Sequence, residues 1–189
     1  MKKIFLLLIF SVYCLYANVG SLTAVDGNVI ILRDSFEIKA NVNDMVKKDD
    51  TIKSLGNSKA QINFIDETIV TIGKDSSLNV QEYFVDTALN SSVKLSIPMG
   101  VFKVMTGKIS KLAPDKFKLK TKNATIGIRG TIFLGNTNND MDKIVCIKGI
   151  VIVEAQGKSV DLHEGEIIYI KVGRTPNVPK KYNIFYSRT

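Results

Sequence analysis

Tryptophan is absent from these 189 residues, histidine occurs once, cysteine twice and proline four times. Each scarcity closes a class of chemistry. The single histidine, His163, stands between Leu162 and Glu164-Gly165-Glu166. One imidazole with adjacent carboxylates falls short of a zinc centre, which typically needs three or four converging ligands, so it reads as a solvated turn residue. Ser76-Ser77 and Ser91-Ser92 have no base beside them in sequence, as a serine nucleophile requires. Gly100 to Gly107 lacks the Lys-Ser/Thr that completes a phosphate loop. Asn136 to Asp142, NTNNDMD, has calcium-like oxygens without the glycine and terminal glutamate of an EF-hand, and reads as a hairpin loop. No catalytic residue, metal or cofactor is therefore expected. Cys14 lies in the N-terminal apolar run behind Ser11-Val12-Tyr13, where the bulky tyrosine argues against lipid attachment. Cys146, within Ile144-Val145-Cys146-Ile147, reads as a small buried hydrophobe. Once the N-terminal run carrying Cys14 is cleaved, as expected below, Cys146 is the only cysteine left and no intramolecular disulfide can form, so stability must come from a core and its hydrogen-bond ladder.

Long apolar runs are also scarce. The exception, Ile4 to Leu15, spans 12 residues after Lys2-Lys3 and ends at Ala17. Crossing a bilayer takes about 20, and the pattern is that of a signal peptide over 1–17, cleaved before Asn18. A short uncleaved anchor is the rival reading. Export to the periplasm is expected, with no stable membrane span after cleavage. The mature chain keeps 172 residues, enough for one domain with a real core. Its formal charge falls from +8 to +6 with the loss of the two lysines. The basic residues look dispersed, with short pairs only (Lys47-Lys48, Lys180-Lys181), and no nucleic-acid partner is expected. An anionic envelope surface is an alternative to mere solubility.

What the chain does have is alternation. Period two dominates and period 3.6 is nearly missing. Val25, Val29, Ile31 and Ile38 suggest early strands with a turn at Asp26-Gly27. Ala60, Ile62 and Phe64, then Asp66-Glu67, then Ile69 to Ile72 form a hairpin pattern. A strand through Val93, Leu95 and Ile97 is expected to end at Pro98, and the one helical candidate is Gln81 to Leu89. Many short strands predict an all-β single domain over 18–173, either a β-sandwich or a β-helix-like coil. Residues 174–189 read as an extended C-terminal tail, with Tyr182, Ile184, Phe185 and Tyr186 as candidates for docking it. Gly27-Asn28-Val29-Ile30-Ile31 is faintly echoed by Gly149-Ile150-Val151-Ile152-Val153. The echo extends to Lys48-Asp49-Asp50-Thr51-Ile52 and His163-Glu164-Gly165-Glu166-Ile167, at unequal intervals.

The most distinctive stretch is Phe117 to Phe133, FKLKTKNATIGIRGTIF. Phe117, Leu119 and Thr121 alternate with lysines, and an arginine sits among glycines. Gly127 and Gly130 would permit positive φ or close backbone approach. Arg129 offers five donors in a planar fork to carbonyls or a carboxylate at a β-bend, and Thr131 could bond locally there. The structural reading expects Arg129→Ala to lower the melting temperature by several degrees; capture of an anionic ligand is the rival.

In order along the chain, several landmarks resemble the FecR domain, a periplasmic all-β module of bacterial envelope signalling proteins. They are Gly27-Asn28-Val29, Asp49-Asp50-Thr51-Ile52, Ala60 to Asp66, Ser77-Leu78, Phe117 to Thr121, Ala124, Arg129-Gly130-Thr131 with Phe133, Val145 to Val151, and Leu162 to Glu166. Glu67 stands where the family commonly has glycine. The resemblance covers roughly Gly20 to Val172. It implies that Thr121, Gly127, Arg129, Gly130, Thr131 and Phe133 are family-motif residues, and these are expected to be structural. Founding members join this domain to a membrane helix and a cytoplasmic anti-sigma segment; only Met1 to Lys3 precede the apolar run here. The expectation is a non-enzymatic, exported binding or scaffolding module, signalling through a separate partner. That partner would be an envelope protein or an anionic envelope polymer. The alternative is a cell-envelope hydrolase or polysaccharide-acting enzyme with a site near His163.

Overall fold

A computed structural model describes residues 17–182 of the chain. Residues 1–16, most of the expected signal peptide, and the tail residues 183–189, with Ile184, Phe185 and Tyr186, lie outside the described part. The first strand, β1 (Asn18–Arg33), begins at the expected cleavage point. It is followed by β2 (Phe36–Lys39), β3 (Met45–Lys47), β4 (Thr51–Phe64), β5 (Ile69–Ile72), β6 (Ser76–Val85) and β7 (Ser91–Met105). A single helical turn, α1 (Ile109–Leu112), and a 3-10 turn (Pro114–Lys116) lead to β8 (Phe117–Lys120). Then come β9 (Thr125–Thr137), β10 (Met141–Ala155), β11 (Lys158–His163), β12 (Glu166–Lys171) and β13 (Lys180–Lys181). The protein is all-β.

Five strands are longer than the sequence suggested, and each carries one positive-φ glycine near its middle: Gly27 in β1, Gly56 in β4, Gly100 in β7, Gly130 in β9 and Gly149 in β10. Pairing changes at these points. On one side, β3, the start of β1, the end of β4, β5, the ends of β7 and β9, the start of β10, β12 and β13 pair in that order. On the other, β2, the end of β1, the start of β4, β6, the start of β7, β8, the start of β9, the end of β10 and β11 pair in that order. The two half-sheets share one buried cluster. Phe64 of the first stacks on Tyr83 of the second, ring centroids 4.2 Å apart and nearly parallel. The result is a sandwich whose layers are continuous through bent strands, which turn one alternating pattern into two walls of one core.

The faint echo is a structural repeat. β1–β2–β3 and β10–β11–β12 follow the same path, and equal spacing emerges once Asn43, not Asp49-Asp50, is matched to Gly165. Seven residues separate Gly27 from Asp34, and seven separate Gly149 from Gln156. Asp34-Ser35 and Gln156-Gly157 are both two-residue turns with positive φ at both positions, the type I′ geometry that suits strand twist. The return turns hold positive φ at Asn43 and Gly165.

Three expectations fail, and in each the pairing with a neighbouring strand overrides the local signal. Asp26-Gly27 is no chain reversal, because β1 runs through it as a bulge facing Ser58. Pro98 does not end its strand. It falls where the β6–β7 register shifts, at a place needing no N–H donor. Gln81 to Val85 is strand, not helix, since pairing with β7 buries Tyr83 and overrides local preference. Breakers were read as ends where the strands only bend. The Asp66-Glu67 hairpin does form, with Glu67 at φ 68° where glycine is usual. In the tail, Lys180-Lys181 joins β12, Pro176 is buried, and Tyr182 packs under Lys143 with the ammonium 5.7 Å from the ring centroid.

Candidate functional site

The Arg129-Gly130-Thr131 corner lies where β9 and β10 bulge against each other: Phe133 faces Cys146, Ile132 faces Lys148, and Arg129 faces Ile150. Gly130 has φ 63°, as expected. Gly127 does not need to be glycine for conformation; its φ lies outside the left-handed region, and a Cβ there would meet Ile152 at an ordinary 3.6 Å. The close approach belongs to Gly149, at φ 80°, whose added Cβ would fall inside the shell of the Gly130 carbonyl oxygen and 2.9 Å from its carbon. Sequence reasoning missed this residue, although its place seven residues before a turn, like Gly27, was a visible signal.

Arg129 does not hold the corner. It is exposed and makes no side-chain hydrogen bond or ion pair among the described residues. The corner is joined to β7 through Thr131 backbone atoms: its N–H donates to Thr106 Oγ1 at 3.0 Å, and its carbonyl accepts from the Thr106 amide at 3.0 Å and hydroxyl at 3.1 Å. The Thr131 hydroxyl is buried and has no hydrogen-bond partner among the described residues, contrary to the local bond expected of it. Phe133 is fully buried, edge-on to Phe102 at 6.3 Å.

Thr121 is structural through a residue the sequence did not single out. Its hydroxyl donates to buried Asp142 at 2.5 Å, and the same carboxylate accepts from Thr137 Oγ1 at 2.5 Å, Asn123 Nδ2 at 2.9 Å and the Asn123 amide at 3.1 Å. Asp142, last of NTNNDMD, thus turns inward to clamp the β8–β9 connection, while Asn138 Oδ1 accepts from the amides of Asp140 and Met141 and closes the hairpin. Two more buried aspartates act alike. Asp50 accepts both guanidinium nitrogens of Arg33, at 2.7 and 2.6 Å, and the Lys47 amide, which holds Arg33 more firmly protonated than usual. Asp66 accepts from Tyr83 Oη at 2.5 Å, the Thr68 amide and hydroxyl, and the Ile109 amide. Burial, then the Asp66 charge, pushes the Tyr83 phenol well above its ordinary value. These carboxylates tie turns down; their oxygens are occupied by protein donors.

His163 ends an edge strand, is exposed, and engages Glu166 through its backbone N–H rather than its ring. Cys146 is buried, its thiol pushed up first by desolvation and then by Glu164, and it points at the carbonyls of Lys148 and Gly149. Among the described residues no cluster of three or more His, Cys, Asp or Glu side chains could hold a metal ion.

The surface feature with chemical character is the outward face of β7, β8 and β9. Phe117, Leu119, Ile126 and Ile128 point into the core, so Lys116, Lys118, Lys120 and Arg129 point out. Exposed Lys122 follows, and on β7 the outward positions are Ser92, Lys94 and Ser96. Lys94 lies directly opposite Lys118 in the parallel β7–β8 pair. Lys94 is matched by Glu82 at 2.6 Å and Lys116 by Asp115 at 3.7 Å, whereas Lys118, Lys120, Lys122 and Arg129 form no ion pair among the described residues. The dispersion of charge along the sequence is therefore undone by the fold: alternate lysines of one strand, with cations from its two neighbours, share one face.

The profile of the FecR protein family matches residues 50–152, from β4 into β10. Two crystal structures of a candidate anti-sigma factor from Parabacteroides distasonis ATCC 8503 share the fold with a TM-score of 0.59 and 15% identity. The match covers 70% of this chain and 60% of that one, so the chain spans about 60% of the length of the solved protein. No curated protein matches it. The likeness to the solved structures is one of fold; the profile takes in more than half of the sequence, including the clamp at Thr121 and the Arg129-Gly130-Thr131 corner, and by it the chain belongs to the FecR family.

Proposed function

We propose that this protein is an exported, non-catalytic binding module of the bacterial cell envelope, working in signalling through a separate partner. Family membership carries the reading: FecR proteins are regulators, and the matched region runs from the start of β4 into β10 of this domain. The fold likeness to a candidate anti-sigma factor points the same way. The start of β1 at Asn18, immediately after the signal-like segment, supports export. The hydrolase reading near His163 gains nothing from an exposed edge-strand residue whose ring has no protein partner among the described residues.

Export is tested by fractionating the bacterium that makes the protein and sequencing the N-terminus of the recovered chain. A periplasmic protein beginning at Asn18 is expected, and a cytoplasmic protein with an intact N-terminus would overturn the proposal. Photo-crosslinking in that envelope then identifies the partner.

A further inference from the structure

We propose that the outward face of β7–β8–β9 binds a linear acidic polysaccharide laid along β8. The inference rests on the binding-module reading above and names the ligand class. Outward residues of a strand recur every two positions, about 6.8 Å apart, so Lys118 and Lys120 of β8 stand in line, with Lys116 of the preceding 3-10 turn and exposed Lys122 of the following bend at its two ends. Such a row matches a chain carrying regularly spaced anions better than a single small anion. Lys94 and Arg129 flank the row from the neighbouring strands. Lys94, directly opposite Lys118, is already matched by Glu82, which leaves Lys118 as the free cation of that cross-strand pair among the described residues.

The remaining outward positions select among polyanions. Between the cations stand half-buried Ser92, Ser96 and Thr125, which offer hydroxyls. The apolar side chains nearest the strip lie at its margin: Ile150 and Ile152 of β10, half-buried opposite Arg129 and Gly127, are too few to enter a lipid surface, and no aromatic stands between the cations to stack a nucleobase. The nearest exposed aromatic, Phe84, is on β6, beyond Ser92. Glu154, opposite Thr125, and Asp161, opposite Ile152, bound the strip on the β10–β11 side. A polyanion is thereby confined to the face around β8.

The test uses the purified mature protein and titrates polygalacturonate, neutral dextran, phosphatidylglycerol vesicles and an oligothymidylate, at about 50 and about 500 mM salt. Binding to polygalacturonate, weakened by salt and absent for dextran, is expected. The double variant Lys118→Gln/Lys120→Gln should lose about tenfold or more in affinity, while Lys59→Gln/Lys74→Gln, the same charge change at exposed sites elsewhere, should stay within about twofold. Thermal unfolding checks folding, and the Lys118 variant is expected to melt no lower than the parent. Equal loss in both doubles would reduce the effect to net charge and overturn the proposal. So would the absence of polygalacturonate binding, or preference for the vesicles or the oligonucleotide. Failure here leaves the export test untouched, and a cytoplasmic location would instead remove the reading on which this inference rests.

Discussion

Alanine at Gly149, Gly130 and Gly127 separates three reasons for glycine in one corner. At Gly149 both costs apply. The φ of 80° is left-handed, worth about 1–2 kcal/mol for a residue with a Cβ. The Cβ would also overlap the Gly130 carbonyl and stand 3.0 Å from the Arg129 oxygen, so β9 and β10 must part where their ladder already bulges. Losing one or two ladder bonds adds about 1 kcal/mol each, and the total is about 2–4 kcal/mol. For a domain of this size that is a fall of about 5–15 °C in Tm. Gly130 has the same backbone requirement with no atom within 4 Å of a built Cβ, so Gly130→Ala should cost only about 1–2 kcal/mol. Gly127→Ala meets neither penalty and should fall within about 0.5 kcal/mol of the parent, on the stabilising side, because alanine loses less chain entropy on folding. Urea unfolding with unchanged m-values, beside thermal melts by circular dichroism, reads all three. If Gly130→Ala proves as damaging as Gly149→Ala, or Gly127→Ala the worst, the opposed-bulge account of the corner is wrong.

Arg129→Ala is expected to leave stability within about 0.5 kcal/mol of the parent, since the side chain is exposed and unpartnered among the described residues; a drop of several degrees would restore a structural role. Asp142→Asn puts an N–H₂ among four donors and should destabilise by about 2–4 kcal/mol, while Lys143→Gln next to it should not, as urea midpoints would register. Tyr83 stays protonated in the folded state above its ordinary range, so its contribution is fully present below about pH 10 and is lost as pH rises beyond that. Tyr83→Phe should remove that part of the alkaline decline and, through the lost bond to Asp66, cost about 1.5–3 kcal/mol at neutral pH. An identical alkaline slope in both proteins would contradict the assignment.

Alternation was enough to read the all-β class, the β4–β5 hairpin and the shared face of Phe117, Leu119 and Thr121, because side-chain direction in a strand follows from parity alone. The FecR resemblance was legible for the same reason: its landmarks are turn residues and strand parity in a fixed order. Parity does not say whether a glycine or proline stops a strand or bends it. That depends on a partner strand accepting the bulge, and so Gly27, Pro98 and Gly149 were settled only by pairing. Nor does sequence separation reveal which buried carboxylate a hydroxyl meets, as Thr121 finds Asp142 across 21 positions. The lysines of β8 were always on one side of their strand. Only the tertiary structure set Lys94 and Arg129 beside them, because a sheet brings together residues that the chain keeps apart.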